Sequence, residues 1–313
     1  MLDLEFDQEQ ELLRQTVRDV LAKHCGLDVV REMEDDPVGY PEALWTQLAE
    51  LDLIGLLLPE EQGGAGMTLV EGVALYEELG RALAPVPHFV SAVMSGGVLA
   101  AADRLVVLAR TGDEAEAVDL FLVDPKAAGV TMRQQFSIAS DTQYEVSFAD
   151  VAVGQADRIG PAGSGWGAWQ GVLQDGLVLL AAQAVGGARY ALEITTQYAK
   201  DRKQFDKPLG AFQALAHYLA DAVTNLDGAE QLVHEAAWAG ATGRPLTSLA
   251  PMAKVFACST FRDITAMAQQ LFGGIGFTLD FDIQLYFRRA KQQQLMWSDD
   301  RVLQDAVAAA LLD

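Results

Sequence analysis

A short segment between two helical patterns combines side chains that could bind a ligand with both phosphate groups and a ring. The side chains concerned are Arg202, Lys203, Gln204, Phe205 and Gln213. A guanidinium and amides pair with phosphate oxygens, and an aromatic ring stacks on a heterocycle. Arg202 is equally suited to a helix C-terminus through the helix dipole, with Pro208 ending the helix. The segment alone therefore leaves a ligand site and a plain helix end as two open interpretations.

A second segment, Gln270 to Phe277, contains Gly273, Gly274 and Gly276 directly after a helical pattern. One glycine in the left-handed region is enough to end a helix. Three glycines in four residues exceed that need, and they would let a ligand approach the backbone closely. The sequence therefore predicts that this helix end, with Gln270, takes part in a binding site.

The elements that must position these segments are mostly helices. Asp7 with Gln10 and Thr68 with Glu71 form capping boxes, which predict helix starts, and Pro41 is predicted at the first position of a helix. Short apolar or alternating runs between residues 105 and 153 predict about four or five strands in one small antiparallel unit. Residues 160 to 167, rich in Gly, Pro and Ser, are predicted to be a linker.

After the linker, long apolar stripes predict antiparallel helices with short connections, which is the pattern of a four-helix bundle. The predicted fold class is therefore mostly α with a small β domain. The predicted domains are an N-terminal helical domain over residues 1–99, a reduced antiparallel β domain over 100–160 and a C-terminal helical bundle over 161–313.

Composition restricts the class of function. The formal charge of −22 argues against non-specific binding to nucleic acid or to anionic membranes. No apolar run reaches the roughly 18 residues of a membrane span, and the acidic start differs from a signal peptide, so a cytoplasmic protein is expected. Cys25 and Cys258 are predicted to be small buried groups. No metal site is predicted, because the four histidines show no pair at helical ligand spacing.

The segment from Arg202 to Gln213 resembles the "RxxFG(K/R)P(L/I)xxxQ" pattern of acyl-CoA dehydrogenases, and Gln270 to Phe277 resembles their "QxxGGxG(Y/F)" pattern. The loop beginning at Leu58 is similar to their "LPEExGGxG", and the order of domains is the same. The resemblance implies an acyl-CoA dehydrogenase fold. It also implies a site for the adenine-diphosphate half of FAD, reached across a subunit interface. The residues assigned to FAD are Arg202, Gln204, Phe205, Gln213, Gln270, Gly273 and Gly274.

The chain departs from the resembled family at the catalytic base. The usual base is a glutamate in a "YEGT" segment after "RDAK", and the position matching that glutamate is Trp297. An indole cannot accept the α-proton of a thioester, and its bulk would fill space that the substrate needs. Some branches carry the base on the first bundle helix, where the matching residue is Asp175. Its side chain is one methylene shorter than glutamate, which is costly for the geometry of proton transfer.

A further departure concerns the flavin ring. The family's "TEPxxGSD" and "(W/K)xWI(T/S)N" segments, which cradle the ring, are absent from the sequence. Residues 96–99 lead almost directly into residues 102–105, so some tens of residues are missing at that junction. We interpret this as a genuine deletion, because it agrees with the missing base.

Together these features resemble the non-catalytic subunit of heteromeric (α2β2) actinobacterial acyl-CoA dehydrogenases, best known in steroid side-chain degradation. The resemblance implies FAD shared with a longer, catalytic acyl-CoA dehydrogenase subunit, and an acyl-CoA substrate. Two alternatives stay open: a self-sufficient homo-oligomeric enzyme using Asp175 as base, and an FAD-free scaffold derived from the family.

Overall fold

Helices form both ends of the chain and strands its middle in the computed structural model, which describes residues 4–94, 104–114, 116–139 and 141–312. The predicted fold class is confirmed. The N-terminal helices are α1 (Gln8–His24), α2 (Leu27–Glu32), α3 (Glu42–Glu50) and α4 (Leu69–Arg81), followed by a π-helical turn at Phe89–Met94.

Both predicted capping boxes are present. The Asp7 carboxylate accepts hydrogen bonds from the backbone N–H groups of Glu9 and Gln10, each at 2.9 Å, and the Gln10 side chain accepts from the Asp7 N–H at 3.0 Å. Thr68 and Glu71 cap α4 in the same way. Pro41 differs from its prediction by one position. It is the N-cap of α3, because its ψ of 117° is extended and the helix begins at Glu42.

The described residues in the middle of the chain form five short antiparallel strands, which confirms the predicted small antiparallel unit and divides it into two sheets. The strands are β1 (Leu105–Arg110), β2 (Val118–Val123), β3 (Val130–Gln135), β4 (Gln143–Phe148) and β5 (Arg158–Ile159). One sheet has the order β1-β2-β5, and β3 pairs with β4 alone. The β3–β4 ribbon is bound to the N-terminal helical region instead: Thr142 Oγ1 donates to the Asp36 carbonyl at 2.6 Å, and the Tyr144 hydroxyl donates to the Pro37 carbonyl at 2.8 Å.

The bundle consists of α5 (Gly165–Asp201), α6 (Gln213–Ala241), α7 (Leu249–Phe272), α8 (Ile283–Leu295) and the terminal α9 (Asp300–Leu312). The predicted linker is shorter than expected because α5 already begins at Gly165. A Cβ on Gly165 would lie 2.6 Å from the Asp119 Cα, so its lack of a side chain lets the start of α5 pack directly on β2.

Helix α5 is the centre of the core and packs between α4 and α7. Close approach to α4 depends on two glycines, since a Cβ on Gly80 would overlap the Gln183 carbonyl and a Cβ on Gly186 would overlap the Glu77 carbonyl. By length and composition α5 could also cross a membrane, but 72% of its apolar window is buried inside the protein, as expected of a core helix.

Candidate functional site

The predicted binding segment between α5 and α6 folds into a small hairpin. Strands β6 (Lys203–Gln204) and β7 (Lys207–Pro208) pair antiparallel, and the two residues between them, Phe205 and Asp206, have φ angles of 52° and 62°. Positive φ at both turn positions is typical of a two-residue hairpin turn, but it is uncommon for a bulky residue such as Phe205. The turn places the Phe205 ring in solvent, where it is 86% exposed.

The polar side chains of this hairpin are also exposed. Arg202, Gln204 and Gln213 all lie at the surface. Within the described ranges, no hydrogen bond or ion pair is found for the Arg202 guanidinium. Gln213 begins α6, a helix of 29 residues whose N-terminus carries a positive partial charge. The hairpin therefore presents a cation, amides and a ring to an anionic ligand, in a chain that is otherwise strongly acidic.

The three glycines at the end of α7 differ in what the fold requires of them. Gly273 has φ 66° and ψ −145°, a conformation that L side chains rarely adopt. A Cβ on Gly276 would lie 2.6 Å from Gln269 Oε1, so packing explains that glycine. Gly274 has no positive φ, and a Cβ there would meet nothing within 4 Å. Neither backbone conformation nor packing accounts for Gly274, which leaves room for a ligand at this point.

The fold brings the two predicted segments to the same end of the bundle. Tyr198, in the last turn of α5, stacks on Phe272, the last residue of α7, with ring centroids 4.2 Å apart and planes 17° apart. The exposed Gln270 lies two residues before Phe272, and Gly273 and Gly274 follow it. The hairpin and the glycine-rich end can therefore contact one ligand.

Trp297, which the sequence places at the position of the family's usual base, lies among aromatic residues. Its ring centroid is 5.6 Å from that of Phe89 and 5.8 Å from that of Trp169. Its backbone has φ 58°. The fully buried Lys254 holds the segment that carries it, donating from Nζ to the carbonyls of Gln294 and Ser298 at 2.8 Å each. The position thus holds an indole packed on apolar groups, with no carboxylate.

Asp175 directly precedes a glycine that packs on the same aromatic group. The next residue, Gly176, is buried, and a Cβ on it would lie 2.7 Å from Met94 Sδ and 3.3 Å from the Phe89 ring. The Asp175 carboxyl is half-buried, burial raises its pKa, and no hydrogen-bond donor to it is found within the described ranges. Gly176 and Trp297 therefore both pack on Phe89, and Asp175 directly precedes Gly176 in the chain.

The predicted deletion at residues 96–105 lies mostly outside the described residues, which resume at residue 104. The deletion therefore stays a prediction from the sequence.

A buried ionic cluster surrounds His234 and was not predicted from the sequence. Ligand atoms of Glu77, Glu230 and His234 lie within 4.8 Å of one another, a spacing that could hold a metal ion. Cations of the protein already face these carboxylates: Arg189 pairs with Glu230 at 2.7 Å, and Arg14 lies 3.8 Å from Glu77. Burial opposes charging of His234, but its hydrogen bond to Glu77 and nearby negative charge raise its pKa overall. The carboxylate at Glu230, four residues before His234, was the available sequence signal.

Comparison with known proteins agrees with this architecture. Residues 7–105 match the family described as acyl-CoA dehydrogenase, N-terminal domain, and residues 163–312 match the acyl-CoA dehydrogenase, C-terminal domain. The chain is 33% identical over 305 residues to acyl-CoA dehydrogenase IpdE2 of Mycolicibacterium smegmatis, covering 91% of this chain and 93% of IpdE2. IpdE2 therefore has no long segment outside the matched region.

Solved structures share the fold. The ChsE4-ChsE5 complex from Mycobacterium tuberculosis superposes with a TM-score of 0.90 at 21% identity, covering 100% of this chain and 99% of that chain. The Tcur3481-Tcur3483 steroid ACAD superposes with a TM-score of 0.85 at 26% identity, covering 98% and 99% of the two chains.

Proposed function

Because the chain belongs to the acyl-CoA dehydrogenase family, we propose that it is one subunit of a heteromeric, FAD-dependent acyl-CoA dehydrogenase. In this proposal it completes the FAD site of a longer, catalytic partner subunit and does not itself take the substrate proton. The reaction is the α,β-desaturation of an acyl-CoA.

The observation that carries the proposal is a half-site at the end of the bundle. Arg202, Gln204 and Gln213 offer donors for a diphosphate, and Gly274 leaves room for it beside the backbone. The exposed Phe205 ring offers a stacking surface for adenine. The remaining assigned residues, Gln270 and Gly273, belong to the same glycine-rich end of α7 as Gly274. These groups fit the adenine-diphosphate end of FAD.

The exposed apolar groups near this half-site favour a partner subunit. Phe205 is 86% exposed, Phe277 68% and Leu279 73%, and all three lie in or next to the two binding segments. Apolar side chains grouped on a surface commonly mark a protein interface. A partner that covers these side chains would also bring the FAD that it binds close to Arg202.

The chemistry at the base position separates this subunit from a catalytic one. When bound, FAD supplies the acceptor for the hydride that leaves the β-carbon. Removal of the α-proton needs a group with a free lone pair at hydrogen-bond distance from that carbon. Trp297 has no such lone pair, and its ring packs on Phe89 and Trp169. We therefore assign proton removal to the partner.

A steroid side-chain CoA thioester is the proposed substrate class. Its support is the similarity to the Tcur3481-Tcur3483 steroid ACAD, which covers nearly the whole chain. The near-equal length of IpdE2 supports treating the missing flavin-cradle segment as a genuine deletion.

A second candidate function is a self-sufficient enzyme that uses Asp175. Its carboxyl is half-buried and has no hydrogen-bond donor among the described residues, and its raised pKa moves it toward the range of a general base. The third candidate is a scaffold that has lost FAD.

Purification of the chain alone and together with a longer sibling subunit tests the three candidates. The shared-site proposal predicts no flavin absorbance for the chain alone and bound FAD in the complex. Stoichiometric FAD on the chain alone would contradict it. Arg202→Ala should lower the flavin content of the complex, while Arg301→Ala, an exposed arginine on α9, should leave it unchanged.

Two further results separate the alternatives. Equal flavin content in the Arg202→Ala complex would favour the scaffold. Asp175→Asn should leave most of the complex's turnover, whereas the self-sufficient enzyme requires that this substitution abolish it.

A further inference from the structure

A cavity of about 350 Å³ lies where the three parts of the chain meet. Its walls come from α2 and the loop after it, from residues 84–90, from the loop before β4, and from α5 and α8. We call it the junction cavity. It shares Phe89 with the aromatic group around Trp297, and none of the residues assigned to FAD lines it. It is therefore separate from the half-site at the end of the bundle.

One face of α8 forms the polar wall of the junction cavity. Arg289, Gln292, Gln293 and Met296 follow one another at helical spacing, and all four line the cavity. Three buried polar atoms on this face have no hydrogen-bond partner among the described residues: Arg289 Nε, Gln292 Nε2 and Gln293 Oε1. Buried polar groups in folded proteins are almost always paired, so three orphans on one wall need an explanation.

The charge of Arg289 is not matched by a contact within the described ranges. Burial lowers the pKa of this guanidinium, with the charge of Asp141 acting in the opposite direction. Asp141 also lines the cavity, but it is already bound by Ser137 Oγ at 2.6 Å and by Gln143 Nε2 at 2.8 Å, and among the described residues it forms no ion pair with Arg289. Glu34, the other nearby acid, pairs with Arg288. Arg289 thus faces the cavity as a guanidinium with free N–H groups.

The other walls are largely apolar, with Val30, Met33, Val86, Pro87, Phe89 and Leu180 among the lining residues. A guanidinium recognises a carboxylate through two parallel hydrogen bonds, and an amide N–H beside it can donate to the same carboxylate. An apolar wall opposite favours a hydrocarbon body. A volume near 350 Å³ is at the small end of the range for ligand sites, so the ligand is small.

We propose that the junction cavity binds a small apolar molecule through its carboxylate, which Arg289 and Gln292 hold while Gln293 accepts a hydrogen bond from a second polar group. The carboxylate can belong to a free acid or to the far end of an acyl-CoA that carries a second acid group. The two sources share one chemistry and are separated by the probes below.

The test measures binding to the full chain by titration calorimetry. The probes are cyclohexanecarboxylate, its neutral amide cyclohexanecarboxamide, adipoyl-CoA and hexanoyl-CoA. A free-acid site predicts that cyclohexanecarboxylate binds and that the amide binds roughly ten- to a hundredfold more weakly, the usual difference for a hydrogen bond to a charged group. A substrate-tail site predicts the same preference for adipoyl-CoA over hexanoyl-CoA, with no binding of the free acid.

Variants locate the binding. Arg289→Gln should remove the preference for the charged probe, and Gln292→Leu should weaken it while keeping the guanidinium. Arg301→Gln is the matched control and should change nothing. The comparison of acid and amide uses the wild-type chain. The proposal can therefore be refuted even if Arg289→Gln does not fold. Binding of neither charged probe, or binding that Arg289→Gln and Gln292→Leu both leave intact, would overturn it.

Discussion

The glycines at the end of α7 provide a sharp test of the half-site, because the fold requires two of them for different reasons and does not require the third. Gly273 is required by backbone conformation, Gly276 by packing against Gln269, and Gly274 by neither. If Gly274 is kept for a ligand, its substitution should affect cofactor binding and leave folding intact.

The expected changes in the free energy of unfolding follow from the geometry. Gly273→Ala puts a Cβ on a residue with φ 66° and ψ −145°, a sparsely populated backbone region, which costs about 1–3 kcal/mol. Gly276→Ala puts a Cβ 2.6 Å from Gln269 Oε1 and 2.9 Å from Phe272 Cβ, an overpacking that costs about 1–3 kcal/mol. Gly274→Ala meets no atom within 4 Å and should stabilise the chain by up to about 1 kcal/mol, through reduced entropy of the unfolded state.

Urea unfolding of the isolated chain, followed by tryptophan fluorescence, measures these three values. Release of FAD from the complex measures the second effect. Gly274→Ala should weaken FAD about tenfold or more if its Cβ prevents one charge-assisted hydrogen bond from the backbone. Destabilisation of the isolated chain by Gly274→Ala as large as that by Gly276→Ala would refute the reasoning, and so would unchanged FAD affinity in a complex that carries Gly274→Ala.

Four other substitutions test the surroundings of the site and the buried cluster around His234. Trp297→Ala should lower the free energy of unfolding by about 2–3 kcal/mol, less than for a fully buried tryptophan, whereas Phe205→Ala should change it by no more than about 0.5 kcal/mol. Lys254→Met should cost about 2–4 kcal/mol, because it leaves the carbonyls of Gln294 and Ser298 without their donor; an unchanged urea midpoint would contradict this. The raised pKa of His234 means that its contribution to stability is complete below the unfolded-state pKa of about 6.5 and is lost as pH rises through the higher folded-state value. His234→Gln should therefore flatten the fall in thermal midpoint above about pH 6.5, and equal slopes for both proteins would count against the Glu77 pairing.

Local signals predicted the helices well because their causes are local. The capping boxes at Asp7 and Thr68 involve residues three apart, and both are confirmed. The glycine stop at Gly273 ends α7 as expected. The sheet was predicted less well, since the docking of β3 and β4 on the loop at Asp36 depends on contacts about a hundred residues apart in sequence.

The site itself was predictable only in part. Residue types indicated the hairpin at Arg202, but the Tyr198–Phe272 stack that brings it beside the glycine-rich end depends on how α5 packs on α7. Arg289 was visible in the sequence merely as a charged residue in a helical pattern. Its lack of a partner depends on Ser137 and Gln143 holding Asp141, which no local pattern reports. Lys254 did carry a signal, because it stands four residues before Cys258 on an apolar stripe.

The packing of Trp297 also restricts how this lineage can change. A single Trp297→Glu substitution would place a carboxylate beside the Phe89 ring, which offers no hydrogen bond to a buried charge. The smaller side chain would leave a void beside both rings, and the backbone would still have to hold φ 58°. Under the proposed function, gaining a base at residue 297 by point mutation would therefore first pass through a less stable protein, which would make dependence on a second subunit difficult for evolution to reverse.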